Sequence, residues 1–146
     1  VIDIFKVGLQ LFCNSGPTII EKIHKKGKKV FLDLKFHDIP TTVAKAAVQV
    51  TRIGVEMFTI HASGGSEMMN KTQEAVVETC LKENLLKPKI IAVTVLTNIS
   101  KEEFITEIGY QHSIETHVKH LATLAKDAGL DGVVAAGNEV AILRKK

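Results

Sequence analysis

The stretch Lys89-Ile90-Ile91-Ala92-Val93-Thr94-Val95-Leu96-Thr97 decides the fold class of this 146-residue chain. It follows Pro88 and forms a nearly continuous apolar run that is rich in β-branched residues. Such a run is typical of a strand in a parallel sheet that is buried on both faces. Because parallel strands need crossover connections, which are usually helices, we expect helical segments on either side of this strand.

Four further strand-like runs extend this pattern in both directions along the chain. Ile4–Gly8, Lys29–Lys35 and Met57–His61 precede the run, and Asp131–Ala135 follows it. The predicted strands begin near residues 4, 29, 57, 89 and 131, and this spacing of 25 to 42 residues matches βα units. The sequence therefore predicts an α/β fold with about five βα units. An open doubly wound sheet and part of a (β/α)8 TIM barrel both fit this pattern.

Helical patterns separate the predicted strands. The expected helices run from Gly16-Pro17 to Gly27, from Pro40 to Gly54, from Gly64-Gly65 towards Leu81, and from about Ile114 to Ala128. Ser100-Lys101-Glu102-Glu103 has the pattern of a capped helix start. A basic helical segment is expected after the last strand, with Arg144-Lys145-Lys146 at its end.

Composition and charge exclude several classes of protein. With 45% hydrophobic and 24% charged residues the chain is globular, and no apolar run approaches the roughly 18 residues of a membrane span. The formal net charge of +3 comes mainly from lysine and aromatic residues make up only 5%, whereas nucleic-acid readers cluster Arg and interleave aromatics. The basic run Lys25–Lys29 is interpreted as a helix terminus rather than a phosphate or nucleic-acid patch. We expect neither a membrane nor a nucleic acid as partner.

Cysteine and histidine residues show no metal-binding or redox pattern. Cys13 and Cys80 are far apart in the sequence, which favours a reducing, cytoplasmic location. The first residues also lack the basic-then-apolar order of a signal peptide. His112, His117 and His120 have no cysteine or carboxylate at the spacing of a zinc site, so we expect them to be surface residues.

Charged side chains are expected to point inward from the second predicted strand. Side chains alternate along a strand, so Val30, Leu32 and Leu34 share one face, and Asp33 and Lys35 share the other. The apolar face should meet the helices. Burying the charged groups on the other face would then cost free energy unless they pair with each other or with a ligand. An ion pair that orients strands and a catalytic pair both fit this pattern.

Two neighbouring strands carry further ionisable groups to the same end of the sheet. The same alternation places Lys6 near the end of the first strand and His61 at the end of the third, and Asp38 opens the loop after the second. Ligands meet the carboxyl ends of parallel strands in both architectures. Asp38 alone fits an exposed loop acid and His61 alone fits a hydrogen-bonded core residue. The convergence of these groups with Asp33 and Lys35 favours catalysis. His61–Gly65 is in addition a candidate for an anion site at a helix start.

The segment Phe31-Leu32-Asp33-Leu34-Lys35-Phe36-His37-Asp38-Ile39-Pro40 resembles the signature of the orotidine 5′-phosphate decarboxylase family. The resemblance extends over all 146 residues and includes Phe5–Leu9, Thr59–Gly65, Val93–Thr97 and Asp131–Val134. The wider superfamily of sugar-phosphate lyases shares the Asp-x-Lys-x-x-Asp pattern, but the continuation in this chain is similar to the decarboxylase branch. The resemblance implies a (β/α)8 TIM barrel. Residues 1–146 would be a partial barrel domain that lacks the family's first strand and last two strands.

The resemblance also implies an activity, an assembly and a set of site residues. The activity is decarboxylation of orotidine 5′-monophosphate to UMP in pyrimidine biosynthesis, without a metal or organic cofactor, by a homodimer. It makes Lys35 the proton donor, Asp33 the carboxylate beside the leaving CO₂, and Asp38 an acid that reaches into the partner subunit's site. Lys6 would contact the ribose and anchor the charged array. The remaining implied substrate-binding residues are Ile39, Thr42, Thr97 and, in a supporting role, His61.

Two alternatives stay open at the level of sequence. One is a magnesium-dependent sugar-phosphate lyase or synthase on the same barrel. The other is a non-catalytic fragment that binds a nucleotide or dimerises. Family members carry their phosphate-binding residues on strands that follow the segment matching residues 1–146. We therefore expect a protein made of residues 1–146 alone to bind substrate poorly. We also expect the sequence to be part of a longer protein.

Overall fold

One parallel sheet forms the centre of the protein. The structure is a computed structural model and describes residues 2–144. Its strands are β1 (Ile4–Gly8), β2 (Lys29–Phe36), β3 (Met57–His61), β4 (Lys89–Val93) and β5 (Gly132–Val134). All neighbours pair in parallel, in the order β1-β2-β3-β4-β5. A doubly wound sheet changes direction at a switch point, whereas strands in unbroken sequence order are typical of a (β/α)8 barrel. The strand order confirms the α/β class and identifies the sheet as part of a barrel.

Helices follow each strand. They are α1 (Leu9–Ser15), α2 (Thr18–His24), α3 (Pro40–Arg52), α4 (Gly65–Glu83), α5 (Lys101–Thr106), α6 (Ile114–Asp127) and α7 (Val140–Leu143), with a 3₁₀ turn at Ala62–Gly64. Within residues 2–144 no helix has the length and apolar character that a membrane crossing requires. Of the basic segment expected at the end of the chain, Lys145 and Lys146 lie outside the described residues.

The core lies between the outer face of the sheet and the helices. Val30 and Leu32 of β2 are fully buried there, as the alternation along the strand predicts, and Leu34 packs against the same core. Val43 and Ala47 supply the buried stripe of α3 at helical spacing. Burial of this apolar face fixes which way β2 is turned, and so aims its odd-numbered residues away from the helices.

The segment after β1 differs from the prediction. The sequence predicts a single helix from Gly16-Pro17 onward, and the structure adds α1 before it, at Leu9–Ser15. This helix has no fully buried residue and no side-chain cap, and Leu9 and Leu11 are exposed. The sequence signals of a helix, a buried stripe and a capping residue, are therefore both missing from it.

The fourth strand is shorter than its composition predicts. β4 ends at Val93, four residues before the expected Thr97, and β5 is limited to Gly132–Val134. Val93 pairs with the last residue of β3, His61, and with the last residue of β5, Val134. Beyond Val93 there is no neighbouring strand among residues 2–144 for the backbone to bond. Thr94 instead donates its hydroxyl to the Val134 carbonyl at 3.0 Å.

The basic run Lys25–Lys29 lies at a helix terminus, as predicted. α2 ends at His24, and Lys25 follows as its C-terminal cap. Lys28 forms an ion pair with Asp3 at 3.1 Å, and Lys29 forms one with Glu56 at 3.0 Å. Exposed pairs of this kind contribute about 0–1 kcal/mol each, so the run is a solvated surface with modest effects on stability.

Candidate active site

A cluster of charged and polar side chains lies at the carboxyl ends of β1, β2 and β3. Lys6 lies on β1, Asp33 and Lys35 lie on β2, and Thr59 and His61 lie on β3. The three strands are adjacent and parallel, so their carboxyl ends lie at the same end of the sheet. The structure thus brings together the residues that alternation placed on the inner face.

Asp33 is held between two ammonium groups. Lys35 Nζ donates to both carboxylate oxygens of Asp33, at 2.8 Å to Oδ1 and 2.9 Å to Oδ2. Lys6 Nζ lies 3.5 Å from Oδ2. The side chain of Asp33 is 14% exposed, against 35% for Lys35 and 56% for Lys6. The carboxylate is therefore the most buried member of the three, and both lysine side chains are more accessible to solvent.

The surroundings of Asp33 keep it ionised. Burial by itself would raise the pKa of this carboxyl, but hydrogen bonds from Lys35 and Thr59, with the positive charges of Lys35 and Lys6, lower the pKa below its usual value. Asp33 is accordingly a carboxylate at neutral pH. It accepts hydrogen bonds and donates none.

Strand β2 is irregular where it carries Lys35. Leu32 pairs with Phe58 and Phe36 pairs with Ile60, so four steps along β2 match two steps along β3. This bulge leaves Lys35 with a φ of 52°, in the left-handed region that a lysine rarely adopts. The Lys35 N–H donates to the Thr59 hydroxyl at 2.9 Å instead of to a strand carbonyl. Alternation alone does not reveal this bulge.

Thr59 is a site residue to which the sequence patterns assigned no role. It is fully buried. Its Oγ1 accepts from the Lys35 N–H and donates to Asp33 Oδ1 at 3.0 Å. The available signal was its position, because a polar residue on the inner face of β3, two residues before His61, must find a partner across the sheet.

His61 lies beside the cluster with His37. The two ring centroids are 5.1 Å apart, and His61 is partly buried at the end of β3. Burial lowers the pKa of His61, the charges of His37 and Lys35 lower it further, and Asp33 opposes them. His61 is therefore neutral at pH 7. Its role in substrate binding stays a prediction, as does the anion site at His61–Gly65.

Asp38, Ile39 and Thr42 lie at the exposed entry to α3, and among residues 2–144 no hydrogen bond or ion pair joins them to this cluster. Asp38 Oδ1 accepts from the Ile39 N–H at 2.6 Å, and Ile39 is 65% exposed. Within residues 2–144 no lysine, arginine or histidine forms an ion pair with Asp38. In the described part of the chain Asp38 thus forms no ion pair with Lys35, and the residue is exposed.

Thr97 also lies apart from the charged cluster. It is exposed in the loop after β4, where it lines a cavity of about 410 Å³ with Leu96 and Glu139. Among the described residues no hydrogen bond or ion pair joins Thr97 to Lys6, Asp33 or Lys35. Its contact with a substrate ring stays a prediction.

The histidines around α6 correct one expectation. His112 and His120 are exposed, but His117 is partly buried, with its ring centroid 4.0 Å from that of Tyr110 and 5.5 Å from that of Phe104. Burial lowers its pKa, and the His120 charge adds to the effect. The sequence did not show that the turn after α5 folds back onto α6. In the described part of the chain, no three His, Cys, Asp or Glu side chains are placed to hold a metal ion.

Comparison with known sequences identifies the relatives of this chain. The family model described as "Orotidine 5'-phosphate decarboxylase / HUMPS family" matches residues 1–146. The orotidine 5′-phosphate decarboxylase of Syntrophotalea carbinolica is 49% identical over 144 residues, which are 99% of this chain and 59% of that protein. The enzyme of the same name from Geobacter metallireducens is 46% identical with the same coverage. The chain thus spans less than two thirds of the length of these relatives.

Solved structures agree with the sequence comparison. Orotidine 5′-phosphate decarboxylase from Lactobacillus acidophilus superimposes with a TM-score of 0.89 at 38% identity, covering 97% of this chain and 62% of that one. An uncharacterized conserved protein from Geobacillus kaustophilus has a TM-score of 0.92 at 38% identity, covering 98% of this chain and 66% of that one. The match of fold, sequence and family model leads to one assignment. The chain belongs to the orotidine 5′-phosphate decarboxylase / HUMPS family.

Proposed function

We propose that this protein decarboxylates orotidine 5′-monophosphate to UMP, with Lys35 as the proton donor. The observation that carries the proposal is the two-pronged contact of Lys35 Nζ with Asp33, at 2.8 and 2.9 Å, next to Lys6 at a strand end. The names of the curated relatives support the same reaction. The proposed reaction needs no metal or organic cofactor.

The chemistry requires charge stabilisation in the transition state. When the bond to the carboxylate breaks, CO₂ leaves without the electron pair, which remains on a pyrimidine ring carbon with little resonance relief. An ammonium fixed beside that carbon stabilises the developing anion. Because Asp33 holds Lys35 Nζ through two hydrogen bonds, the ammonium needs little reorganisation during the reaction. Lys35 then gives its proton to the ring carbon and recovers one from solvent.

The other residues of the site have supporting roles in this proposal. Lys6 contacts the ribose and neutralises Asp33, and Asp33 lies beside the leaving CO₂. Thr97 meets the pyrimidine from the loop after β4, and His61 supports the cluster of charged side chains.

The proposed enzyme is a homodimer in which Asp38, Ile39 and Thr42 complete the site of the partner subunit. Two observations support this arrangement. The Asp38 carboxylate has no ion pair within residues 2–144, and the apolar side chain of Ile39 next to it is 65% exposed. Both residues are thus available for a second subunit at the same end of the sheet as Lys35.

Replacing Lys35 tests the reaction. In the intact enzyme, Lys35→Ala should lower the rate of CO₂ release from orotidine 5′-monophosphate by more than about 10³-fold, because it removes both the proton donor and the stabilising charge. Lys71→Ala is the matched control, since Lys71 forms an exposed ion pair with Glu67 on α4. Near-normal turnover by Lys35→Ala would contradict the proposal. Loss of wild-type activity in EDTA would instead favour the magnesium-dependent alternative.

Mixed dimers test the shared site. Lys35→Ala and Asp38→Ala subunits are each expected to be inactive as homodimers. If Asp38 acts in the partner's site, a mixed dimer contains one intact site and one doubly defective site. Mixing and exchanging the two inactive variants should therefore restore up to about a quarter of wild-type activity per subunit at equal amounts. A lack of recovery, once subunit exchange has been verified by mass spectrometry, would contradict the role of Asp38.

The proposed location is the cytoplasm. Both cysteines of the chain are free, Cys13 at the surface and Cys80 partly buried. Free, separated thiols are usual in a reducing compartment. Cell fractionation with detection of the native protein tests this location, and recovery with an extracytoplasmic marker would contradict it.

A further inference from the structure

The Thr59 hydroxyl lies between the two residues that carry the proposed chemistry. We propose that Thr59 is a positioning residue of the decarboxylation, and that its hydroxyl fixes both the bulge that aims Lys35 and the orientation of the Asp33 carboxylate. The inference rests on the proposed function. It concerns a residue on β3 that belongs to neither the Asp-x-Lys-x-x-Asp pattern nor the set of charged groups.

The direction of each hydrogen bond follows from the chemistry of its partners. The backbone N–H of Lys35 can only donate, so Thr59 Oγ1 accepts from it at 2.9 Å. Asp33, as a carboxylate, can only accept, so the hydroxyl proton of Thr59 points to Asp33 Oδ1 at 3.0 Å. A hydroxyl meets both demands at once. A methyl group in its place would meet neither.

The two hydrogen bonds close a ring of contacts. The Lys35 backbone N–H donates to the Thr59 hydroxyl, this hydroxyl donates to Asp33 Oδ1, and Lys35 Nζ donates to the same Asp33 oxygen. Lys35 also has the left-handed φ of 52°, a conformation that persists only where the surroundings hold it. Because the bulge removes the Lys35 N–H from the regular strand pairing, Thr59 is the group that holds it.

The remaining neighbours of Asp33 do not replace this contact. Lys6 faces the carboxylate from β1, Lys35 from β2 and His61 from β3. The two lysines bring charge, and neither of their amines binds the backbone of the bulge in the described structure. Removing the Thr59 hydroxyl should therefore allow the backbone at Lys35 to move, while the charges of the cluster stay unchanged.

The experiment compares hydroxyl removal at Thr59 with the same change elsewhere in the core. In the intact enzyme, Thr59→Val should lower kcat for orotidine 5′-monophosphate about 10- to 100-fold with a much smaller change in KM, because a misplaced proton donor affects the transition state more than binding. Thr59→Ser should keep kcat within about threefold of wild type, since it retains the hydroxyl. Thr72→Val is the matched control. Thr72 is also fully buried, and its hydroxyl bonds to the Met68 carbonyl on α4, outside the charged cluster.

A second measurement separates this inference from the proposed function. Amide hydrogen exchange over residues 31–40 should accelerate in Thr59→Val and not in Thr72→Val or Thr59→Ser, whether or not the wild type turns over orotidine 5′-monophosphate. An inactive wild type with this exchange pattern would overturn the proposed function and support the positioning of Lys35. If Thr59→Val does not fold, Thr59→Ala provides the same comparison. Unchanged kcat and unchanged exchange in the folded variant that lacks the hydroxyl would overturn the inference.

Discussion

Asp33 and His61 show how neighbours set the charge of single residues in this site. Asp33 keeps its negative charge because Lys35 and Thr59 donate to it, and His61 stays neutral because burial and nearby positive charges disfavour its protonation. Within this chain the cluster therefore holds two cations against one anion at neutral pH. One positive charge is left uncompensated, which suits an anionic substrate.

The depressed pKa of His61 predicts how stability depends on pH. The unfolded chain binds a proton at histidine near pH 6.5, whereas folded His61 binds it only at lower pH. The unfolded state thus binds more protons in this window, so stability falls as the pH drops below about 6.5. Thermal melts between about pH 7.5 and 5.5 should show a shallower decrease in Tm for His61→Gln than for the wild type.

The control for this prediction is the exposed His112. His112→Gln should leave the slope of Tm against pH unchanged, because the His112 side chain is exposed. A residual slope in His61→Gln is expected from His117, whose pKa is also lowered by burial. Equal slopes of Tm against pH for the wild type and His61→Gln would show that protonation of His61 is not coupled to folding.

At the scale of elements, the strands were the part of the fold most readable from sequence. β1 and β3 have the predicted bounds, since each is a short run with a clear break after it. The end of β4 was not readable, because it depends on where β3 and β5 stop. Helix α1 was not predicted for a different reason. It has no fully buried residue, so its sequence lacks the periodic apolar stripe that indicates a helix.

The candidate site was predictable to the same extent. Alternation placed Lys6, Asp33, Lys35 and His61 at one end of the sheet, because a period of two is local information. The bulge at Lys35 and its bond to Thr59 depend on the register between β2 and β3. Register is a property of two segments 24 residues apart, and no pattern within either segment shows it.

The junction between the 3₁₀ turn and α4 gives a prediction about packing. A Cβ atom on Gly64 would clash with the Sδ and Cε atoms of Met68, and Met68 is fully buried. Gly64→Ala should therefore force Met68 to shift within a packed core and lower the free energy of unfolding by about 1–3 kcal/mol. Denaturant unfolding measures this change.

Gly137→Ala is the matched control for this substitution. A Cβ on Gly137 would meet no atom within 4 Å, so this variant should differ little from the wild type in its free energy of unfolding. If both variants unfold at the same denaturant concentration as the wild type, the contact between Gly64 and Met68 does not constrain the start of α4.

At the scale of the whole molecule, the sheet has two edges. In residues 2–144 β1 pairs only with β2, and β5 pairs only with β4. A closed (β/α)8 barrel has eight strands and no edge, and it commonly builds its phosphate site from the loops after strands 7 and 8. We propose that residues 1–146 act as one part of such a barrel domain, in keeping with the 59% of the Syntrophotalea carbinolica enzyme that they match.

This proposal predicts the behaviour of the 146-residue chain expressed by itself. Because binding energy from the phosphate group also lowers the barrier at the ring, the isolated chain should release CO₂ at least about 100-fold more slowly than the full-length relative from Syntrophotalea carbinolica. A radiometric assay on both proteins under the same conditions measures the ratio. Comparable turnover would show that these five strands suffice for catalysis.

The two extra residues of β2 have a consequence for protein engineering. A designer who copies Asp33 and Lys35 onto a regular strand of another barrel reproduces their spacing in sequence but not the backbone that carries them, because a regular strand has no left-handed residue at that point. The transplant must also bring the irregular pairing with the next strand and a hydroxyl on that strand to receive the lysine amide. The smallest part of this site that can be transferred to another barrel is therefore a pair of adjacent strands together with the irregular register between them.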